Sequence, residues 1–587
     1  MNPLASPSPS NKLLHLMAAL ALILGAFWFI WTLLLWYKLH PHLPWRDMFV
    51  ILDGLSKQPN FLTDWQALIE PHYAAHRIAV PRLLVALDLR LLDGQSHALY
   101  ASAWIGLLSC LGILFYTARD YFEHNPSSGL FYAGIAVTLM FAPAHLWNLV
   151  NAINASWHIT FACAFVAFYI LVRRPEPPGA GAWIMAYLFA TIAAFTTFAG
   201  VIVWLLLPVL AIRCSRVTLT ITVLISVLLA TVYSIGLSSD ADIAVAWKGD
   251  NTEVIEKIKA AGIEAKTNNT LTVIVSRTLR VLTWPLSSEK SITGALLVSL
   301  SLCVLAFSGV RFLRSEFQGQ DAYHPWVKLC LMASVLALGI ALAIQFGRLI
   351  EQPNHADGPS FERYNTVGAI YWIGIMGLAL STLNYLGNLH RLLLMGSCLT
   401  IAALLIYPKG DYLQQEVMSM EHASRLYASG ENPELRRPAG RKMSRIKPEY
   451  VFHFDPYFQE KELAYLAPGE PPYAPEDSSL DCPTSSMKAR YRRSDIKGYK
   501  TLEVSLGAAQ SMITRDILIY SERKFLARLH QSHADNYNPL ELARPSSNVF
   551  TGQILSKEAH MGLLTLVANS LGPNLFHCRM PNTIVGS

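Results

Sequence analysis

Charge is scarce in this sequence, and no stretch of it forms a basic block. Charged residues make up only 15% of the 587 positions, and the net charge of +6 is spread over many short loops. Because nucleic-acid-binding proteins display clustered Lys and Arg, this distribution argues against a nucleic-acid surface. A Gly-rich phosphate-binding loop is missing as well, so the sequence gives no sign of nucleotide-driven chemistry.

The cysteines lack the spacing of metal ligands. Six of the eight fall in or beside apolar segments, where they are most simply small core residues. The other two, Cys482 and Cys578, are the only cysteines of the C-terminal tail. In an oxidising outer compartment they are candidates for a disulfide, with two free thiols as the alternative.

Apolar residues, by contrast, are abundant and lie in long runs. They make up 52% of the chain, which is typical of a polytopic membrane protein of mainly α structure. The first run is too long for a signal peptide and lacks a small-residue cleavage site, so we expect it to persist as a helix. The runs predict eleven transmembrane helices, at residues 13–37, 98–117, 129–147, 158–172, 182–195, 201–212, 217–237, 291–310, 326–346, 366–385 and 392–407.

Two of these runs, 182–195 and 201–212, are short and are separated by the sequence FTTFAG. The pattern predicts a pair of helices that meet at a broken turn within the membrane. Such a break is tolerated only where protein groups or water satisfy the freed backbone groups.

The short loops predict the orientation and the domain organisation. Basic residues recur in every second loop, which places the N-terminus inside. These residues are Arg119, Arg173, Arg174, Arg213, Arg216, Arg311, Arg314, Lys328 and Arg391. We expect a multi-pass protein of the bacterial inner membrane with a disordered tail at 1–11, a membrane domain at 12–407 and a periplasmic C-terminal domain at 408–587. Pro, Gly and charge enrichment indicates mixed α/β structure in that last domain.

The loop 39–97, between the first two predicted helices, collects most of the polar residues that could carry chemistry. Asp47 and Asp53 lie in RDMFVILDGL, whose apolar spacing suits a helix along the membrane interface. In the second half of the loop, His72 and His76 are four residues apart, which predicts one shared helix face with Arg77 beside it.

A carboxylate near imidazole and guanidinium groups at the level of the lipid headgroups suits one kind of reaction. The Asp can deprotonate a hydroxyl, while His and Arg neutralise phosphate oxygens as a sugar leaves its lipid carrier. The alternative is structural: Asp47 caps a helix, and the His and Arg residues contact phospholipid headgroups.

Three further outward loops add candidate residues. Asn151, Asn154, Trp157 and His158 crowd one turn, where they are candidates for sugar or acceptor binding; the alternative is turn-forming Asn beside an interfacial aromatic. Candidates for the donor phosphate are Arg277, Arg280, Arg348, Arg363 and Tyr364. Arginines beside a span are costly unless paired, and a protein carboxylate such as Glu351 or Glu362 is the competing partner.

One helix, a long outward loop with an early Asp, many further spans and an outward C-terminal domain together resemble the GT-C superfamily of polyprenyl-phosphate-sugar glycosyltransferases. That superfamily includes the lipid A aminoarabinose transferase, arabinosyltransferases and protein mannosyltransferases. The resemblance implies an inverting reaction with Asp47 as the base and Asp53 as the second choice. This loop has no adjacent pair of acidic residues that would hold a metal ion. The sequence therefore leaves open whether the reaction requires a divalent cation.

We therefore hypothesise an integral membrane glycosyltransferase that moves a sugar from a polyprenyl-phosphate donor to a periplasmic glycan, lipid or protein acceptor, with no nucleic-acid partner. Two rivals remain. One is a transporter or flippase of lipid-linked saccharides, and the other is a non-catalytic factor in the assembly of envelope polysaccharides.

Overall fold

The computed structural model describes helices and strands over much of the chain. It covers residues 9–39, 48, 51, 52, 55, 68–72, 76–92, 94, 96–142, 145–173, 176–237, 275, 278, 279, 281, 282, 292–318, 323–351, 364–406 and seven strands between 487 and 580. The chain divides into two compact units, one made of Met1–Leu33, Lys57–Asp88 and His97–Lys409, and the other of Leu34–Ser56, Leu89–Ser96 and Gly410–Ser587.

Thirteen α-helices occur in the described residues. They are α1 (Pro9–Leu39), α2 (Ala79–Leu91), α3 (His97–Tyr121), α4 (Pro126–Met140), α5 (Leu146–Val150), α6 (Ala155–Val172), α7 (Ala180–Ala194), α8 (Val201–Leu210), α9 (Arg216–Ser234), α10 (Ile292–Phe317), α11 (Pro325–Glu351), α12 (Asn365–Leu380) and α13 (Asn388–Ile406). Each of the eleven predicted runs overlaps one of these helices.

Seven of the helices, α1, α3, α6, α9, α10, α11 and α12, are long and apolar enough to cross a membrane. The chain is therefore a multi-pass membrane protein. The apolar stretches of α4, α7, α8 and α13 are shorter, so the described residues support seven of the eleven predicted spans and the other four stay predictions. The run 129–147 fails for a local reason: α4 ends at Met140 and Pro143 follows, and a proline disfavours helix at the residue before it.

The first helix begins earlier than predicted. Its first residue is Pro9, so the last three residues of the predicted 1–11 tail are helical, since proline is well tolerated at the first helical position. Small residues let this helix contact α4 directly through the backbone. A Cβ added at Gly25 would come within 2.8 Å of the Gly134 carbonyl oxygen, and one at Gly134 would overlap the backbone of Ala21. Close approach at small residues is a common way of packing membrane helices.

The most deeply buried span is α12. All its residues but one are buried, and its glycines pack against α11, where a Cβ on Gly374 or Gly377 would overlap Ser334 or Cys330. On α12, the hydroxyl of Tyr371 forms a 2.7 Å hydrogen bond with Ser301 of α10. The middle of this helix is consequently packed against α10 and α11.

The predicted break between α7 and α8 is confirmed. Residues 195–200 leave the helix, with a 3-10 turn at Phe198–Gly200. The freed groups are satisfied by protein: the carbonyl of Phe195 accepts from Val80 N at 3.1 Å, and Thr197 Oγ1 bonds Thr160 Oγ1 at 3.1 Å. A Cβ on Gly200 would overlap the carbonyl of Ala193, so the turn requires glycine at this position.

A buried ion pair joins α10 to α11. Lys328 Nζ lies 2.9 Å from Glu316 Oε1, and both side chains are nearly inaccessible. Arg213, just after α8, places its Nε 4.0 Å from the same carboxylate. Lys328 and Arg213 therefore share the buried carboxylate of Glu316, near the ends of α8 and α10 and the start of α11.

The pairing of His72 and His76 differs from the prediction. Pro71–His72 (β1) and His76–Arg77 (β2) form a short antiparallel hairpin, in which His72 lies directly opposite His76. The predicted shared helix face was wrong, because residues 71–72 and 76–77 pair as antiparallel strands, an arrangement that also brings positions four apart together. The helix begins later, at Ala79, with Pro81 in its first turn, where proline is tolerated.

Four apolar residues after Asp47 behave as the spacing predicts. Met48, Ile51, Leu52 and Leu55 are helical and buried, at the i, i+3, i+4, i+7 spacing of one helix face. The helix expected in RDMFVILDGL is thus confirmed at these positions.

The described residues after 486 are β-strands: β3 (Met487–Arg493), β4 (Tyr499–Leu506), β5 (Thr514–Ser521), β6 (Lys524–Gln531), β7 (Val549–Leu555), β8 (Leu564–Ser570) and β9 (Phe576–Met580). They form an antiparallel sheet of order β3-β4-β7-β6-β5-β8-β9. Val504 is buried. The predicted disulfide stays a prediction, because Cys482 lies outside the described residues and only the backbone of Cys578 is described.

Candidate functional site

The segment that links α4 to α6 is polar and tightly folded. It contains α5 and a 3-10 turn at Ala152–Asn154, and the backbone N–H of Asn154 donates to the carbonyl of Asn151 at 2.9 Å. The Tyr100 hydroxyl of α3 donates to the carbonyl of Val150 at 3.0 Å. These bonds hold the backbone that carries the asparagine side chains.

A chain of side-chain hydrogen bonds connects this segment to the start of α12. Asn154 Nδ2 donates to Asn148 Oδ1 at 3.1 Å, and Asn148 Nδ2 donates to Thr366 Oγ1 at 2.9 Å. Thr366 Oγ1 in turn lies 3.4 Å from Nε2 of His158. We call these four residues, together with His145 and Asn151 of the same stretch of chain, the amide–imidazole cluster: His145, Asn148, Asn151, Asn154, His158 and Thr366.

The cluster is buried, but it is not saturated with hydrogen bonds. Asn151 Oδ1, His145 Nδ1 and His158 Nδ1 have no partner within the described part of the chain, although the residues are at most 4% exposed. Buried polar atoms usually have a partner, so three in one cluster indicate a place for a ligand or for water. Burial lowers the pKa of His145 to about 4, which keeps this imidazole neutral near pH 7.

Close packing of α3 holds His158 in place. A Cβ on Gly106 would lie 2.8 Å from the backbone carbonyl of His158, so only glycine allows this approach of the two helices. The start of α3 is held by Asp88, whose Oδ1 accepts from Ala98 N at 2.8 Å. The carboxylate thus satisfies one of the free N–H groups at a helix start.

Two aromatic residues lie next to the cluster in sequence and meet in space. Trp157 precedes His158, and Tyr364 precedes the first residue of α12. Their rings are 5.6 Å apart between centroids, with planes at 89°. Trp157 is partly exposed, whereas Tyr364 is 7% exposed. The two rings form an edge-to-face pair. This pair joins Tyr364, a residue predicted to bind the donor phosphate, to Trp157, a residue predicted to bind the sugar or acceptor.

Arg77 lies in a different set of contacts. Its Nε donates to the carbonyl of Tyr233 at 3.1 Å, its Nη1 to the carbonyl of Ile69 at 2.5 Å and its Nη2 to the carbonyl of Ile235. Its backbone N–H donates to the Tyr233 hydroxyl at 2.9 Å. Arg77 consequently fastens the hairpin to the end of α9, and much of its donor capacity is used by backbone carbonyls.

Several predicted site residues fall outside the described part of the chain: Asp47, Asp53, Arg277, Arg280 and Arg363. For His76 and Arg348 the backbone alone is described. His72 is buried in β1. The proposed base and most of the phosphate ligands therefore stay predictions.

Sequence reasoning missed Thr366 and His145. Thr366 begins the apolar run 366–385, and His145 lies inside the run 129–147, for which the sequence predicts a continuous helix. The signal that could have identified them is a polar residue near the end of an apolar run: His145 near the end of the run 129–147 and Thr366 at the start of the run 366–385. Among the described residues, no three His, Cys, Asp or Glu side chains stand close enough to hold a metal ion.

Chemically, the cluster offers neutral donors and acceptors beside aromatic rings, an arrangement suited to hydroxyl-bearing ligands. Comparison with known proteins adds nothing to this geometry: no family model, no curated protein and no solved structure matches the chain.

Proposed function

We propose that this chain is a glycosyltransferase of the bacterial inner membrane that transfers a sugar from a polyprenyl-phosphate donor to a periplasmic acceptor. The observation that carries the proposal is the amide–imidazole cluster. In a membrane domain, buried polar side chains are costly, and those with unused hydrogen-bonding atoms are most simply explained by a polar ligand.

The neighbouring groups support the same substrate class. Trp157 and Tyr364 provide aromatic surface beside the neutral cluster, and pyranose rings combine hydroxyl edges with C–H faces that pack on aromatic rings. The candidate carboxylates Asp47 and Asp53 come from the sequence alone, which predicts the loop 39–97 to lie near the headgroups of the outer leaflet.

The reaction follows from these groups as one displacement. The acceptor hydroxyl loses its proton to Asp47, or to Asp53, as its oxygen attacks the anomeric carbon. The new C–O bond forms while the bond from that carbon to the phosphate oxygen breaks, and polyprenyl phosphate leaves with the electron pair. Configuration at the anomeric carbon is inverted, and nearby cations stabilise the departing phosphate.

The test is to compare surface glycans from a deletion strain that carries wild-type protein, Asp47→Asn, Asp53→Asn or the control Asp120→Asn. Asp120 is an exposed carboxylate at the end of α3. Loss of the base should lower transfer by about 100-fold or more at unchanged protein abundance. Mass spectrometry of the glycans measures the product. If both loop variants behave like wild type, neither residue is the base; if the deletion leaves every glycan unchanged, the transferase proposal is wrong.

The break between α7 and α8 favours a second candidate, a transporter of lipid-linked saccharides. Broken helices near substrate sites are typical of secondary transporters. Purified protein in proteoliposomes separates the two functions. A transferase joins labelled sugar to an acceptor and releases polyprenyl phosphate, whereas a transporter moves the labelled lipid between leaflets without changing it.

A further inference from the structure

We infer that the amide–imidazole cluster binds the uncharged ring of the sugar through a hydroxyl, and that the carrier phosphate binds elsewhere. This inference rests on the proposed function and narrows it, because it assigns one part of the donor or acceptor to one set of side chains. The argument depends on which atoms of the cluster donate and which accept.

The hydrogen-bond chain has a direction. Asn154 donates to Asn148, and Asn148 donates to Thr366, so one lone pair of the Thr366 oxygen is occupied. The Thr366 hydroxyl still has its own proton, and the described polar atom that it faces is His158 Nε2, 3.4 Å away. If Nε2 accepts this proton, the imidazole is neutral and carries its own proton on Nδ1.

This assignment leaves a buried donor and a buried acceptor for a ligand. His158 Nδ1 becomes a donor without a partner among the described residues, and Asn151 Oδ1 is an acceptor that also lacks a partner there. A hydroxyl group can accept from the first and donate to the second. The two residues lie close in the chain: Asn151 precedes the 3-10 turn Ala152–Asn154, and α6 follows this turn directly, with His158 in its first turn.

A phosphate does not fit these atoms. Ionised phosphate oxygens accept hydrogen bonds and donate none, so the acceptor Oδ1 of Asn151 would face another acceptor. His145, which would have to be protonated to attract an anion, stays neutral near pH 7 because it is buried. A phosphate would leave this buried acceptor unsatisfied, whereas a hydroxyl can donate to it, which favours a hydroxyl at this position.

The experiment uses full-length protein in nanodiscs and saturation-transfer NMR. The probes are methyl glycosides of common hexoses and pentoses, the matching monodeoxy glycosides, and inorganic phosphate. We expect at least one methyl glycoside to bind, and Asn151→Ala to weaken its binding about tenfold, the effect of losing about 1.4 kcal/mol of hydrogen bonding. Inorganic phosphate should not compete.

The deoxy analogue gives a sharper test. Removing the hydroxyl that pairs with Asn151 should weaken binding in the wild-type protein, but should have little further effect in Asn151→Ala, since the partner is already gone. Asn151→Asp, which has nearly the same shape, guards against misfolding of the alanine variant and should also bind the glycoside less tightly. The matched control is Asn125→Ala, which changes the residue that precedes α4.

Each result decides the inference. It is wrong if no glycoside of the panel binds, if phosphate displaces the glycoside, or if Asn151→Ala and Asn125→Ala bind equally. Measuring sugar transfer on the same samples separates the two proposals. Transfer that is insensitive to Asn151 would leave the transferase standing without this sugar site, whereas Asn151-dependent glycoside binding without any transfer would leave a sugar site in a protein that is not a transferase.

Discussion

Acid should destabilise this protein through His145, and replacing that histidine should remove the effect. His145 is 4% exposed, and burial lowers its pKa from 6.5 to about 4. The folded protein therefore resists protonation that the unfolded chain accepts. Stability from this group is complete above pH 6.5 and is lost as the pH falls from 6.5 to 4.

The size of the effect follows from the two pKa values. They differ by about 2.5 pH units, and each unit corresponds to about 1.36 kcal/mol, so the total loss is about 3 kcal/mol. His145→Gln cannot be protonated in this range. We expect this variant to match the wild-type protein near pH 7.5 and to be more stable than it at pH 4.5 by most of that amount.

The assay is equilibrium unfolding in mixed micelles of fixed composition, at several pH values between 4.5 and 7.5. His124→Gln is the matched control, because His124 is exposed in the loop between α3 and α4. Its pH profile should follow that of the wild-type protein. If His145→Gln loses as much stability as wild type between pH 7.5 and 4.5, then His145 is not held neutral by burial, and the charge assignment of the cluster has to be abandoned.

Two further predictions concern the scaffold, and both use unfolding in the same micelles. Gly200→Ala should destabilise the protein by about 1–3 kcal/mol or more, because the added Cβ would overlap the backbone of Ala193. Gly112→Ala, which has open space around the added Cβ, should be neutral or slightly stabilising. Equal effects of the two substitutions would contradict the packing of the break. Glu316→Gln should cost about 3–5 kcal/mol, because it removes the carboxylate shared by two cations. Lys328→Met should cost less, because Arg213 still faces that carboxylate, and a larger cost for Lys328→Met would refute the shared-carboxylate arrangement.

Long-range pairing marks the limit of what the sequence could predict. Apolar runs predict helices because burial in lipid demands about 20 apolar residues, and the break at FTTFAG was visible because Gly and Thr interrupt such a run. The contact of Asn148 with Thr366 joins residues 218 positions apart, and no local pattern specifies that pairing. The asparagine-rich turn could be recognised as polar, but its partner on α12 could not.

Local spacing was also ambiguous in the first loop. Positions four apart lie side by side on a helix, and they can also lie opposite each other in a pair of antiparallel strands, as His72 and His76 do. For Arg77, the sequence showed a cation near the membrane edge and suggested phosphate. The carbonyls that it binds at the end of α9 are more than 150 residues away, so a structural role could not be distinguished from a ligand role.

The hydrogen bonds of the broken turn between α7 and α8 help to distinguish the transferase from the transporter. In transporters, unwound carbonyls coordinate ions or substrate, and they must therefore be available. Here the carbonyl of Phe195 accepts from Val80 N, and the carbonyl of Ala193 accepts from the backbone N–H groups of Thr196 and Thr197 at 3.2 Å. Because protein donors already bind these carbonyls, they are not available to coordinate an ion or a substrate. Asn151 Oδ1 and His158 Nδ1, which lack a partner among the described residues, lie instead just before α6 and in its first turn. These neutral side chains suit a sugar hydroxyl, which favours the transferase over the transporter.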